Sequence, residues 1–158
     1  MDSSNPFETF TKSAFRLEAL PVYVVDNEKE AYKEFITSGK LPEETASDWA
    51  TIVKANVSAG KSMKRLRLLS DELTPYEQYE LLAYPGIRSG EQIRLNTRSL
   101  YSDRYVCDFW FFDNKYITQM NYEIDGTYIN SETRKANEEE KKMLEYWLGV
   151  FDNSNTLE

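Results

Sequence analysis

The hydrophobic positions of this chain change period several times, and those changes divide it into elements. The densest apolar run is Tyr105–Phe112, in which Asp108 is the one polar side chain. Apolar residues on both alternating faces predict a strand covered on both sides, hence one inside a sheet. Asp113-Asn114 offers a two-residue turn, and residues 116–124 read as the returning strand of a hairpin. On that return strand Tyr116, Thr118, Met120, Tyr122 and Ile124 share a face expected to be packed. Gln119, Asn121 and Glu123 share the other, expected to be solvated.

Upstream, residues 1–12 read as a flexible lead-in. Residues 13–20 alternate Phe15, Leu17 and Ala19 against Arg16 and Glu18, predicting a strand or extended edge that Pro21 ends. Asn27 with Glu30 predicts a capped helix to Ser38, with Tyr32, Phe35 and Ile36 as its apolar stripe and Gly39 and Pro42 as its stop. A second helix is expected over 47–59, with Trp49, Ile52, Val53 and Val57 on one face and Gly60 after it. The strand expected over 62–70 sends Lys64, Leu66 and Leu68 one way and Met63, Arg65, Arg67 and Leu69 the other.

Thr74-Pro75-Tyr76-Glu77 combines a capping box with proline at the first helical position. It predicts a helix over 75–83 that ends before Pro85-Gly86. Tyr76, Tyr79, Glu80 and Tyr84 fall near one face of it, a packing pattern more than a ligand box. A short strand over 91–95 follows the Ser89-Gly90 turn, then a polar loop over 96–104. Asp125-Gly126 turns into a strand over 127–130. Asn137 with Glu140 caps a last helix whose stripe is Met143, Tyr146, Trp147, Val150 and Phe151, its start solvated by Glu138–Lys142. Residues 153–158 read as a flexible tail, its closing Leu-Glu like a tag scar. The whole predicts one α+β domain over 13–152: a mixed, mostly antiparallel sheet with a central hairpin and about four packed helices.

Composition narrows the chemistry. The chain has 158 residues, 41% hydrophobic, with one cysteine, Cys107, and no histidine. Without histidine there are no Ser-His or Cys-His pairs and no imidazole metal ligands, so neither a metal nor a cofactor is expected. No window approaches the ~20 apolar residues that span a bilayer, and no signal-peptide core opens the chain. The lone thiol suits a reducing compartment, so a cytoplasmic location is expected, with Cys107 as a small buried hydrophobe. The net charge of −8 is uneven: residues 54–104 hold 9 basic and 6 acidic side chains, while both flanks are acidic. The basic third is either an anion-binding face or a set of arginines paired with carboxylates from the flanks. The acidic total disfavours direct nucleic-acid binding.

Arg65, Arg67, Arg94, Glu91, Asp108 and Asp113 form the candidate constellation. One reading is a pocket in which guanidinium forks hold a phosphate or carboxylate, with Trp110 or Tyr76 as a stacking wall. The other is structural: Asp108, on a strand buried on both faces, requires a partner, and an arginine on a neighbouring strand supplies it. Three guanidinium groups exceed what Asp108 alone neutralises, which leaves room for an anion or for Glu91. The functional expectation is a non-catalytic binding or regulatory module, recognising a small anionic ligand or a regulator protein. A carboxylate-dependent or nuclease-like hydrolase, with Glu91 and Asp113 as the paired acids, is the alternative.

Several motifs taken together resemble a known family. They are Ser13-Ala14-Phe15-Arg16-Leu17-Glu18, Arg65-x-Arg67 with Ser70, Leu73-Thr74-x-Tyr76-x-x-x-Glu80, Gly90-Glu91-x-Ile93-Arg94 and Asp108-Phe109-Trp110-x-Phe112-Asp113. In that order they are similar to the bacterial family called domain of unknown function 6879, over roughly residues 10–150. Glu72 and Asn114 depart from its pattern, where proline and aspartate are expected. The family has no established activity; its genes often neighbour helix-turn-helix regulators, which implies such a regulator as a partner. The succession of helix, Gly60, arginine-bearing strand and later Phe112-Asp113 also resembles half of a phospholipase-D-like domain. The histidine-lysine-aspartate motif of those enzymes is absent. That resemblance implies a non-catalytic relative, similar to the sugar-sensing domains of some transcription regulators.

Overall fold

A computed structural model of the chain describes residues 5–24, 29–39, 48–87, 90–103 and 106–157. Its elements, in order, are α1 (Pro6–Thr9), β1 (Ser13–Glu18), α2 (Lys29–Ser38), α3 (Asp48–Ser58), β2 (Ser62–Leu69), α4 (Pro75–Ile87) and β3 (Gln92–Thr97). A 3-10 turn over Arg98–Tyr101 follows, then β4 (Phe109–Phe112), β5 (Tyr116–Tyr122), β6 (Tyr128–Lys135), α5 (Glu138–Asp152) and β7 (Asn155–Thr156). The seven strands form one sheet in the order β6-β5-β4-β1-β2-β3-β7. β1, β2 and β3 are parallel neighbours, because helices long enough to cross over connect them; the other pairings are antiparallel. The α+β class, the single mixed sheet and its antiparallel majority are as the sequence predicts.

The β4–β5 hairpin closes on Asp113 and Asn114, both with φ of 56°. Two successive positive φ values are what a two-residue turn of matching twist demands, and Asp and Asn tolerate them better than other side chains. All four residues of β4 are buried. The centre of the sheet, however, is β1, expected as a possible edge. Its Arg16 and Glu18 look solvated in the one-dimensional pattern, yet both are buried because helices cover that face too.

The two faces carry different cores. On one, α5 lays Leu144, Trp147 and Phe151 against Phe15, Leu17, Leu66, Leu68, Phe109, Phe111 and Ile117. On the other, Phe10 and Val53 pack on Ala14, Met63, Trp110 and Phe112, while Tyr23, Tyr76, Tyr79 and Ala83 form an aromatic cluster. The capping boxes form as expected: Asn137 with Glu140 opens α5, and Thr74 exchanges backbone bonds with Glu77 at α4.

Several expectations change. The lead-in is not loose where it is described: α1 forms, and Phe7 packs edge-on against Trp49, Trp110 and Phe112. The tail likewise pairs with β3 as β7, and Leu157 is buried, so the closing leucine belongs to the fold. Helix α4 runs through Pro85-Gly86 to Ile87; Tyr84, anchored beneath it, holds the last turns against the local stop signal. β3 extends to Thr97 and the expected loop continues as the 3-10 turn. β6 is eight residues long, beyond the expected 127–130. β5 ends at Tyr122, short of the expected 124, and its faces are not cleanly divided: Ile117 is buried under α5 while Tyr116 is exposed, as is Ile124 beyond the strand. The cap at Asn27, the start at Ser47, the stop at Pro42, the turn residue Ser89, and Tyr105 lie outside the described residues.

Candidate functional site

Eight charged side chains are buried among the described residues: Arg16, Arg65, Arg67, Glu18, Glu77, Glu80, Glu91 and Asp108. Six come from the sheet or its strand ends and two from α4. Parallel pairing of β1 with β2 sets Arg16 beside Arg65 and Glu18 beside Arg67. Pleat then points all four toward the helices α3 and α4, since alternate residues of a strand leave by the same face. A dry layer of ions is costly unless each charge is paired and its remaining donors and acceptors are bonded. Here they are: no buried side-chain polar atom among the described residues lacks a hydrogen-bond partner.

The pairings are specific. Arg65 reaches Glu18 from Nη1 at 2.8 Å and Glu91 from Nε at 3.1 Å. Trp49 Nε1 donates to the other Glu91 oxygen at 3.4 Å. Arg67, 0% exposed, donates from Nε and Nη2 to Glu80 Oε1 at 3.0 and 2.7 Å, and to the carbonyls of Leu68 and Leu20. Arg16 donates to Asp108 at 3.2 Å and to the Leu17 carbonyl at 2.6 Å. Asp108 also accepts from the Ala19 amide at 3.1 Å and from the Tyr23 hydroxyl. Glu77 is spent on the backbone of Ser70 and Thr74.

Three guanidinium groups thus face five carboxylates, the reverse of the excess the sequence suggests. A proton held in the layer lessens that imbalance. The Tyr84 hydroxyl lies 2.8 Å from Glu18 Oε1 and 3.0 Å from Glu80 Oε2. Its one proton serves one acceptor, so the second contact is satisfied when the other carboxyl holds a proton. Burial pushes Glu80 up to about 8, against the opposing pull of Arg67, whereas Arg65 and Arg16 override burial and hold Glu18 down at about 2. Burial also raises Asp108, in spite of Arg16 and Tyr23. Of the two carboxyls that share the Tyr84 hydroxyl, Glu80 is therefore the one that favours a proton.

The sequence-derived candidates separate as follows. Arg65, Arg67, Glu91 and Asp108 do share this layer. Trp110 lies beside it, with the Arg65 guanidinium 5.5 Å and the Arg16 guanidinium 5.9 Å from its ring centroid, so arginines occupy the wall proposed for a ligand. Tyr76 is packed among Tyr23, Tyr32 and Tyr79. Arg94 does not reach this face. Alternation sends it to the α5 side, where it donates to the Phe151 and Asp152 carbonyls at 2.9 and 3.0 Å and neutralises a helix C-terminus. Asp113 sits at the hairpin turn and accepts from the Thr11, Lys12 and Ser13 amides, which hold its carboxyl below the usual range despite partial burial. Glu91 and Asp113 therefore belong to separate structures. Arg16, Glu18, Tyr23, Glu80 and Tyr84 complete the layer, although nothing in the sequence alone marks them as site residues. Arg16 and Glu18 alternate with apolar neighbours as an exposed face would, and only the covering helices distinguish the two cases.

Together these features define a class: an α+β domain with one sheet between helices, apolar on one face and sealed over an ionic layer on the other. The chain belongs to the family described as "Domain of unknown function (DUF6879)", which matches residues 2–158. No curated protein matches it. In fold it is similar to Nuc from Salmonella typhimurium, a phospholipase D family member, with a TM-score of 0.54 at 11% identity, over 96% of this chain and 85% of that one. A weaker likeness, TM-score 0.47 at 10% identity, is to TrmBL2, an archaeal chromatin protein described with a novel mode of DNA binding. It covers 95% of this chain and 47% of that one. No helix among the described residues is long and apolar enough to cross a membrane.

Proposed function

We propose that this domain is a non-catalytic binding module of the cytoplasm that recognises a small anionic ligand and works with a regulator protein. One observation carries the reading: Asp108, Glu18, Glu80 and Glu91 are consumed by internal arginine pairs beneath helices, so the acids that would serve hydrolysis are structural. Function then falls to surfaces outside the layer. The fold shared with a phospholipase D family member raises a second reading, a hydrolase, yet the chain holds no histidine and its buried carboxylates are already engaged by internal donors.

The test pairs binding with turnover on the purified chain. Thermal shift with small phosphates and carboxylates is expected to give stabilisation at low salt that weakens at moderate salt. Phospholipid and generic phosphodiester substrates are expected to remain intact with and without added divalent metal. Turnover that disappears in Asp108→Asn would replace the module by an enzyme.

A further inference from the structure

Since β1, β2 and β3 run in the same direction, their carboxyl ends open at one side of the sheet. Open sheets with parallel strands take ligands in the crevice outside those ends. Such a crevice is present here, about 380 Å³ in volume, between the residues that follow β2, the 3-10 turn after β3, and Val106 before β4. That volume suits a small metabolite. Asp71, Arg98, Ser99, Tyr101 and Ser102 line it with Val106.

Arg98 is unlike the arginines of the buried layer. It is half-buried, and one Nη1–H is fixed to the Ala19 carbonyl, just past the carboxyl end of β1, at 2.7 Å. Arg16, Arg65, Arg67 and Arg134 each have a carboxylate partner; among the described residues Arg98 has none. The Ala19 bond orients the guanidinium while leaving other N–H donors of its fork available. Across the crevice Asp71 accepts from Ser99 Oγ at 2.7 Å through Oδ1, which leaves Oδ2 to accept from a ligand. Tyr101 forms a fixed wall, its ring 5.3 Å from Trp147 and its hydroxyl held by Asn96 at 3.0 Å.

We propose that this crevice is a binding site for a small hydroxylated anion, its carboxylate or phosphate on Arg98 and a hydroxyl on Asp71. The inference rests on the ligand-binding reading above and places it away from Arg65 and Arg67, where an anion would have to displace an internal carboxylate. Asp71 repels a bare anion and rewards one that carries a hydroxyl donor, so the pair selects for both groups together.

Calorimetry on the full chain with inorganic phosphate, glycerol 3-phosphate and glycerate tests it. Glycerol 3-phosphate or glycerate binds better than inorganic phosphate. Arg98→Gln weakens that binding about tenfold or more, the loss of a charge-assisted fork. Asp71→Asn narrows the preference over inorganic phosphate, which a purely structural role for Asp71 would not do. Amide shifts in the unmutated protein, which need no folded variant, cluster at Ser70, Asp71 and Arg98–Ser102. The relative affinities of the phosphate ester and glycerate say which head group the site takes. Binding that is unchanged in Arg98→Gln, or shifts that cluster elsewhere, overturns this site while the ligand-binding reading stands. Binding to none of the three probes overturns the site and the anion reading together.

Discussion

Asp108 sits in the most apolar run of the chain and is held there by Arg16, the Tyr23 hydroxyl and the Ala19 amide. Removing one partner from such a group costs more than the interaction is worth, because the survivor stays buried without a counter-charge. Asp108→Ala is expected to destabilise by about 3–5 kcal/mol in denaturant titration. Asp108→Asn keeps an acceptor for Arg16 and Tyr23 but sets its amide NH2 against the Ala19 N–H, and is expected to lose less than the alanine variant does. A change in the alanine variant within ~0.5 kcal/mol, the range of an exposed site, would contradict the burial of this residue. That a carboxylate so placed needs a partner was legible from the residues around it. Which arginine supplies it was not, since Arg16 lies 92 positions away and meets Asp108 only through the antiparallel pairing of β1 with β4.

At the scale of elements, the β5–β6 hairpin docks on the segment after β1. Gly126 has φ of +93°, and a Cβ added there would stand 2.2 Å from the Val22 carbonyl oxygen. Its own carbonyl accepts from the Val24 amide at 2.9 Å, so backbone meets backbone with no room between. Gly60 has a similar φ of +87° but faces open space. The two substitutions separate strain from contact. Gly60→Ala is expected to cost about 1 kcal/mol through the left-handed conformation alone. Gly126→Ala is expected to cost about 3 kcal/mol or more, since the hairpin must also move. Equal costs by thermal or chemical denaturation would mean that the hairpin is not docked. The Asp125-Gly126 turn was readable in sequence; its close approach to Val22 was not, because nothing local encodes it.

For the whole molecule the ionic layer sets the dependence of stability on pH. Glu80, near 8 in the folded protein against an ordinary 4.5, binds its proton more tightly when folded. Its contribution is full below about pH 4.5 and is lost as pH rises to about 8. Glu18, near 2 when folded, acts oppositely: its contribution is full above about pH 4.5 and is lost as pH falls to about 2. The melting temperature is therefore expected to rise from pH 2 to 4.5 and to fall from 4.5 to 8. The net charge of −8 also favours a fall at higher pH through self-repulsion, so the diagnostic measurement is the variant. Glu80→Gln keeps an acceptor for Arg67 and a donor for Tyr84 without a titrating proton. It should flatten the alkaline limb and leave the acid limb in place. An alkaline limb as steep as in the unmodified protein would mean that Glu80 is ionised throughout.

The sequence by itself determined the local elements: the period of the apolar residues, the Asp113-Asn114 turn and the capping boxes at Thr74 and Asn137. It also determined the α+β class and the absence of histidine chemistry. These follow from short-range sterics and backbone hydrogen bonding, which a few neighbouring residues specify. Tertiary structure decided whether a polar alternation faces water or a helix, and hence that Arg16 and Glu18 are buried. It decided that Arg94 leaves by the other face, and that Arg98, in what looked like a plain loop, has no carboxylate partner among the described residues. Those outcomes depend on strand order and helix placement, since burial and Coulomb pairing join residues that the chain keeps far apart.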